Sequence, residues 1–302
     1  MTDCTRLVWG TVGIKLALRL EIQRGQLQAC LMELHQHDQK AEVVERPLPP
    51  GALHLADLGF FKLKRFQDWS RQGVYWLTRY KVGTRLHTAD GQALDLKAIL
   101  TGTQPVRLAV TVGCGRNAFA ATLLAAPLPE AALAKRLARL KEQARLDQRP
   151  LSQRQLELAA WTLYLTNVPE LTFDQAHILG RTRWQIELLF KLWKSHGKVL
   201  GARSADPLRQ QAEGLAKLLG VVVAHWVLLV AGWQPDRLGA LDALRILRTH
   251  VPLLQRAMLY SRLFEDVFHW LKLELANAPP LPKRRKTPRA FQLWWHYEDS
   301  CA

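Results

Sequence analysis

The segment from Arg183 to Lys194 sets one carboxylate, Glu187, between two cations on a stretch that is otherwise almost wholly apolar. An α-helix advances about 100° per residue, so Glu187 lies about 40° round from Arg183 and Lys194 only about 20° from it. The three charges share one face. Trp184, Ile186, Leu188, Leu189, Phe190, Leu192 and Trp193 cover most of the remainder. A helix that is apolar nearly all round is internal. An internal charge is tolerated only when it is paired, hydrogen-bonded or bound to a metal. The segment therefore predicts a buried helix with one of two purposes. Either Arg183 and Glu187 form a structural ion pair with a lysine reaching for solvent, or the three charges make a working site.

The spacing Arg-x3-Glu-x6-Lys, in the context RTRWQIELLFKLWKS (181–195), resembles the signature helix of bacterial insertion-sequence DDE transposases. It is similar to the insertion-sequence-four family, whose pattern is Tyr-x2-Arg-x3-Glu-x6-Lys. Arg183, Glu187 and Lys194 match; the tyrosine position falls on Gly180, which removes an aromatic and adds backbone freedom near the helix start. LADLGFFKLKRF (55–66) and AAWTLYLTNVP (159–169) also look like this family, so the likeness covers most of the chain.

The resemblance implies an α/β fold: a ribonuclease-H-like mixed-sheet core, a β-rich insertion before the Glu-bearing helix, and a helical C-terminal part. It implies Asp3, Asp57 and Glu187 as catalytic carboxylates and metal ligands for two Mg²⁺ (or Mn²⁺). Arg183 and Lys194 would contact DNA phosphates. The implied activity is hydrolysis at transposon ends, giving a 3′-hydroxyl that attacks target DNA. The implied partner is double-stranded DNA, both ends and target, bound by a homodimer in the bacterial cytoplasm at the nucleoid. Family members carry a helical DNA-binding region before the first Asp. Its absence here implies an N-terminally truncated chain, and with it the alternative of an inactive remnant that only binds DNA. A ribonuclease-H-like nuclease without strand transfer is a further alternative.

Charge points the same way. Forty-two Lys and Arg face 26 Asp and Glu, a net charge of +16 over 302 residues. Such an excess favours a polyanion, most simply nucleic acid, over a merely solvated basic surface. Cys4, Cys30, Cys114 and Cys301 lie far apart without a CxxC pair, which argues against a zinc site or a disulfide framework. The N-terminus has no signal-peptide layout. The longest apolar run, Leu218 to Trp233, contains His225 and is short for a membrane span, so it reads as a buried helix and no membrane partner is expected.

Residues 14–22 alternate, with Ile14, Leu16, Leu18, Leu20 and Ile22 on one side, which predicts a strand with one buried face. Gly25 turns the chain into a hairpin partner at Leu27–Leu34. A short helix is expected at Asp38–Glu45, strands at Ala52–Leu58 and Val74–Tyr80, and a helix at Lys62–Gln72 between them. Beyond residue 83, turn signals separate β-like runs at Val106–Val112 and Ala118–Ala125. A basic amphipathic helix (Pro129–Gln148), a strand (Trp161–Val168) and helices from Phe173 follow. The expected domains are a discontinuous core (1–82 and 151–250), an insertion (83–150), and a C-terminal helical segment with a basic tail (251–302). The tail's KRRK (283–286) would add phosphate affinity.

Cutting a phosphodiester calls for an activated oxygen and a stabilised leaving oxygen, which two divalent ions supply when carboxylates from separate elements hold them. Asp57 ends an apolar strand before a glycine; the competing role there is a helix cap or Asx-turn. Asp3, followed by Cys4 and Thr5, lies so near the N-terminus that a frayed end competes. Trp184 and Trp193 read first as core, and second as surfaces on which an extruded base stacks. Asp38, Asp68 and Asp174 read as surface or caps. No G-x-S-x-G elbow is present, so serine-hydrolase chemistry finds no support.

Overall fold

Alternating apolar and polar residues build strands, and the first part of the chain is made of them. The computed structural model describes residues 2–9, 14–21, 27–33, 46–115, 118–195, 206–234, 237–260 and 262–280. It opens with β1 (Thr2–Trp9), β2 (Ile14–Glu21) and β3 (Leu27–Glu33). Next come β4 (Leu53–Ala56), a single 3-10 turn (Leu58–Phe60), α1 (Leu63–Arg71) and β5 (Tyr75–Arg79). Then follow β6 (Leu86–His87), α2 (Leu96–Ile99), β7 (Val106–Val112), β8 (Phe119–Pro127) and α3 (Glu130–Leu146). After α4 (Gln153–Leu158) and β9 (Trp161–Thr166) the chain is helical. Its helices are α5 (Phe173–Thr182), α6 (Trp184–Ser195), α7 (Pro207–Val230), α8 (Ala240–Leu259) and α9 (Arg262–Asn277).

The strands form one sheet in the order β3-β2-β1-β4-β5-β9-β8-β7-β6. β4 pairs in parallel with both β1 and β5; β9 runs antiparallel to β5, and β8, β7 and β6 continue antiparallel beyond it. This is the ribonuclease-H-like mixed sheet that the sequence implied. The β-rich stretch after residue 83 adds its strands to the same sheet. At that margin the sheet ends on β6, where the Leu94 N–H donates to the Leu86 carbonyl and Ala93 bridges His87.

β9 (Trp-Thr-Leu-Tyr-Leu-Thr) is buried at every residue, because β5 and β8 flank it and helices cover the sheet. Trp76 on β5 is fully buried and stacks on Phe66 of α1, with ring centres 4.6 Å apart. Asn167 locks β5 to the end of β9. Its Oδ1 accepts from the Trp76 N–H at 2.7 Å, and its Nδ2 donates to the Val74 carbonyl at 3.0 Å. The Trp76 indole N–H donates to Ser70 Oγ at 3.0 Å, so the large side chain is buried with its polar atom satisfied.

Two expectations need correction. β2 was expected to bury one face, yet Ala17 and Arg19, from the opposite set to Leu20, are buried as well. The strand lies between β1 and β3, and residues of both its faces are buried. Arg19 tolerates burial because its guanidinium donates to the Arg46 carbonyl, at 3.2 Å from each terminal nitrogen. Within α7, which was expected to be internal, Leu228 is buried but Leu219, Val223, Trp226 and Val230 are exposed. Leu208–Val230 is long and apolar enough to cross a membrane by length and composition. The Asp38–Glu45 helix, the Gly25 turn and the basic tail lie outside the described residues.

The chain divides into two compact units, the main change falling between Arg183 and Trp184. The first holds most of the sheet and its helices through α5; the second holds α6 to α9, with Leu7–Lys15 and Glu33–His35 counted to it. In the second unit Leu228, Trp233, Leu247, Leu271 and Leu275 form a core, and the Trp233 indole donates to the Leu238 carbonyl at 2.8 Å.

Candidate active site

β4 is short, buried and central, and Asp57 follows it directly. In an open α/β sheet the carboxyl ends of parallel strands are where ligands bind, since side chains emerge there clear of the packed layers. Asp57 stands at the N-cap of the Leu58–Phe60 turn, but its side chain makes no capping hydrogen bond. Only its backbone serves the turn, the carbonyl accepting from the Phe60 N–H at 2.9 Å. The capping role that competed in the sequence is thereby excluded, and the carboxylate stays about one-third exposed, at 31%.

Two guanidinium groups face it instead. Arg79 Nη2 and Arg183 Nη1 each lie 3.8 Å from Asp57 Oδ1. Both distances are too long for hydrogen bonds, so these are ion pairs that hold charge without fixing oxygen geometry. Arg79 is the last residue of β5, the strand next to β4. Arg183 caps the C-terminus of α5, its N–H donating to the Leu179 carbonyl at 3.3 Å. A cation at that helix end is favoured by the unsatisfied carbonyls.

α5 is set at both ends. Thr172 and Gln175 form a capping box at its start, and Ala176, Leu179 and Thr182 are its buried face. Gly180 lies inside this helix, not in a loosened start. A Cβ there would meet the Tyr164 hydroxyl at 2.8 Å and its ring carbons at 3.1 and 3.2 Å. The glycine is required by close approach rather than by backbone freedom, which corrects the sequence reading. Tyr164 comes from β9, with its hydroxyl 3.4 Å from His177 Nδ1. Burial raises the Tyr164 phenol above its usual pKa, while the charges of Arg79, Arg136 and Arg183 pull the other way. Burial lowers His177 below the ordinary histidine value, with the nearby Arg181 charge acting in the same sense.

Asp3 lies on β1, adjacent to β4. Register pairs Asp3 with Leu55 and Cys4 with Ala56, so the Asp3 backbone sits two residues short of Asp57 on the neighbouring strand. Only the backbone of Asp3 is described.

Glu187 and Lys194 lie on α6, in the second unit. Glu187 is in the first helical turn and half-buried; Lys194 is in the last turn and exposed. Each charge matches the sign that its helix end prefers. Their spacing of seven residues puts them about 20° apart, on one face. Leu189, Phe190 and Trp193 are buried, and Trp193 packs edge-on to Phe190 at 5.9 Å, so Trp193 is a core residue. The three charges belong to two consecutive elements: Arg183, itself with helical backbone angles, ends α5, and Glu187 and Lys194 lie on α6, which begins at Trp184.

Thus the structure brings Asp57 and Arg183 together, sets the Asp3 backbone on the next strand, and places Glu187 and Lys194 on α6. Among the described residues no three His, Cys, Asp or Glu side chains gather as a metal-binding group. The donor chemistry nonetheless suits a hard divalent cation. Asp57 offers carboxylate oxygens that no cap consumes. Arg79 and Tyr164 were missed by sequence reasoning. A basic residue closing the apolar run VYWLTR, 22 positions after Asp57, is the only signal that singled out Arg79.

A family model described as the transposase DDE domain matches residues 27–221. The transposase for insertion sequence element IS231F of Bacillus thuringiensis subsp. israelensis is 24% identical over 295 residues, covering 87% of this chain and 62% of that protein. The transposase for IS231E of B. thuringiensis subsp. finitimus is 22% identical over 299 residues, with the same coverage of 87% and 62%. The transposase for IS1151 of Clostridium perfringens is 27% identical over 168 residues, 49% of this chain and 36% of that one. This chain spans 62% of the length of the first two relatives.

Proposed function

Because this chain belongs to the transposase DDE domain family, we propose that it carries out DNA transposition: metal-dependent cleavage of double-stranded DNA at transposon ends, then strand transfer. The observation that carries this reading is the Asp57 carboxylate, uncapped at the carboxyl end of β4 and flanked by Arg79 and Arg183 within the family-matched span. An acid that closes a strand, caps nothing and stays part-exposed is suited to a ligand rather than to the fold.

In this reading Asp57, Glu187 and Asp3 hold two Mg²⁺ or Mn²⁺ ions, which activate water and stabilise the leaving oxygen when bound. Arg183, buried at the end of α5, pairs its charge with Asp57 and presents positive charge to the phosphate undergoing substitution. Lys194, exposed on α6, steers the DNA backbone. Hydrolysis leaves a 3′-hydroxyl on one side of the cut. That hydroxyl then displaces a 3′-oxygen in target DNA, exchanging one phosphodiester for another. Work on two ends calls for two copies of the chain on DNA. The catalytic core comprises 1–82 and 151–250, with 83–150 inserted and 251–302 a helical C-terminal segment with a basic tail. The protein acts in the cytoplasm, at the nucleoid.

The test is cleavage of duplexes carrying the element's own ends, with Mg²⁺ or Mn²⁺, by the wild type, Glu187→Ala and Asp57→Asn. Metal-dependent nicking at the ends is expected from the wild type, with a loss of at least about 10²-fold in each variant. DNA binding in Ca²⁺ should survive in both. Cleavage that persists in either variant defeats the assignment of that residue. Binding without cleavage by the folded wild type defeats the catalytic reading.

A further inference from the structure

Two arginines face one carboxylate at the end of the central strands, and a third shares their neighbour Tyr164. Arg79, Arg136 and Arg183 all act on the Tyr164 phenol, and two of them face Asp57. Their commitments differ. Arg136 donates to the Ala159 and Trp161 carbonyls and to Thr162 Oγ1, which ties α3 to the start of β9. The Arg183 side chain is 11% exposed and rises from the end of a packed helix. The Arg79 side chain is 56% exposed, and its contact with Asp57 is a 3.8 Å ion pair. Such a part-exposed pair is weak and readily exchanged. A guanidinium also presents the planar fork that phosphate oxygens accept best.

The same Asp57 oxygen cannot serve a divalent cation at full charge while two guanidinium groups compete for it. We propose that Arg79 is an exchangeable counter-charge: it neutralises Asp57 while that carboxylate holds no cation, and turns to a DNA phosphate once a divalent cation takes its place. Arg183 stays as the fixed member of the pair. This rests on the DNA-cleaving reading above and adds to it a residue that couples cation loading to substrate binding. The coupling has a definite sign. Arg79 opposes cation binding in the protein alone and favours the phosphate backbone in the complex.

Two measurements on the full chain test it, both independent of turnover. The first is a Mn²⁺ titration without DNA, followed by the electron paramagnetic resonance of the unbound ion. Arg79→Ala should tighten Mn²⁺ binding roughly two- to fivefold, the worth of a part-exposed ion pair. The second is affinity for an end-containing duplex in Ca²⁺ as a function of salt. Arg79→Ala should weaken binding and lower the slope of log affinity against log salt by about 0.9, one phosphate contact. Arg79→Lys, which keeps the charge, should stay within about twofold of the wild type in Mn²⁺ affinity and keep its salt slope. An unchanged or weaker Mn²⁺ affinity in Arg79→Ala overturns the proposal, and so does an unchanged salt slope. Asp57→Asn separates the two levels. If it loses Mn²⁺ binding while Arg79→Ala behaves like the wild type, only the coupling fails; if it binds Mn²⁺ like the wild type, the carboxylate site falls and the coupling with it.

Discussion

Gly180 and Tyr164 are 16 positions apart in sequence and occupy one volume in space, since a methyl group at 180 would sit 2.8 Å from the Tyr164 hydroxyl. In an open helix Gly→Ala is worth about 1 kcal/mol of stability. Here overpacking costs about 1–3 kcal/mol, so Gly180→Ala should give a net loss of about 1 kcal/mol in urea denaturation. In a Tyr164→Phe background the penalty should shrink, because the closest atom is gone; an equal penalty in both backgrounds would refute the contact. The same scale shows what sequence can and cannot reveal. Asp57 and Glu187 stood out because an acid amid apolar residues must have a reason to be there. Arg79 and Tyr164 did not stand out. A strand-end arginine and a strand tyrosine are ordinary by themselves, and their meaning lies in contacts made with distant segments.

Among the elements, α5 is the lever that positions Arg183, and its start is fixed by the Thr172–Gln175 capping box. Thr172→Ala should cost about 1 kcal/mol of stability, read as a lower denaturation midpoint with unchanged slope. A midpoint equal to the wild type would mean that the cap does not hold the helix. Because Arg183 sits at the far end of the same helix, the variant should still retain the Asp57–Arg183 pair once folded. Elements were largely legible. β7 was expected at Val106–Val112 and is found there, and the strand expected at Trp161–Val168 is found at Trp161–Thr166. What alternation could not tell was whether a strand is covered on one side or two. β2 reads as half-buried, but it lies inside the sheet and buries Arg19 too, with the Arg46 carbonyl and Gln28 Oε1 accepting from its guanidinium.

For the whole molecule, two imidazoles of lowered pKa, the buried His54 and the more exposed His177, shape the response to acid. Burial, then the charges of Arg19 and Arg65, holds His54 well below its ordinary value of 6.5, and burial lowers His177 as well. Below about pH 6.5 the unfolded chain therefore binds more protons than the folded one, so stability rises with pH. It is fully present above that value and is lost as pH falls from there toward the depressed folded pKa values. The midpoint of thermal unfolding should fall between pH 7.5 and 5.5, and His54→Gln should flatten that dependence. A midpoint independent of pH over this interval contradicts neutral burial of His54. At this scale the ribonuclease-H-like class was legible through resemblance, but the strand order was not legible from pattern alone. The bond from the Trp76 N–H to Asn167 spans 91 positions, and nothing local in either segment announces the other.

A sheet this wide has to stop without inviting a second copy to continue it. Exposed strand margins are templates for self-association, and long flat ones are the most dangerous. Here the margin is β6, two residues long, and its outward backbone is partly engaged by the chain's own return through Ala93 and Leu94. The strands added beyond β9 thus end in a self-closed border, so widening the sheet adds little surface from which aggregates could grow.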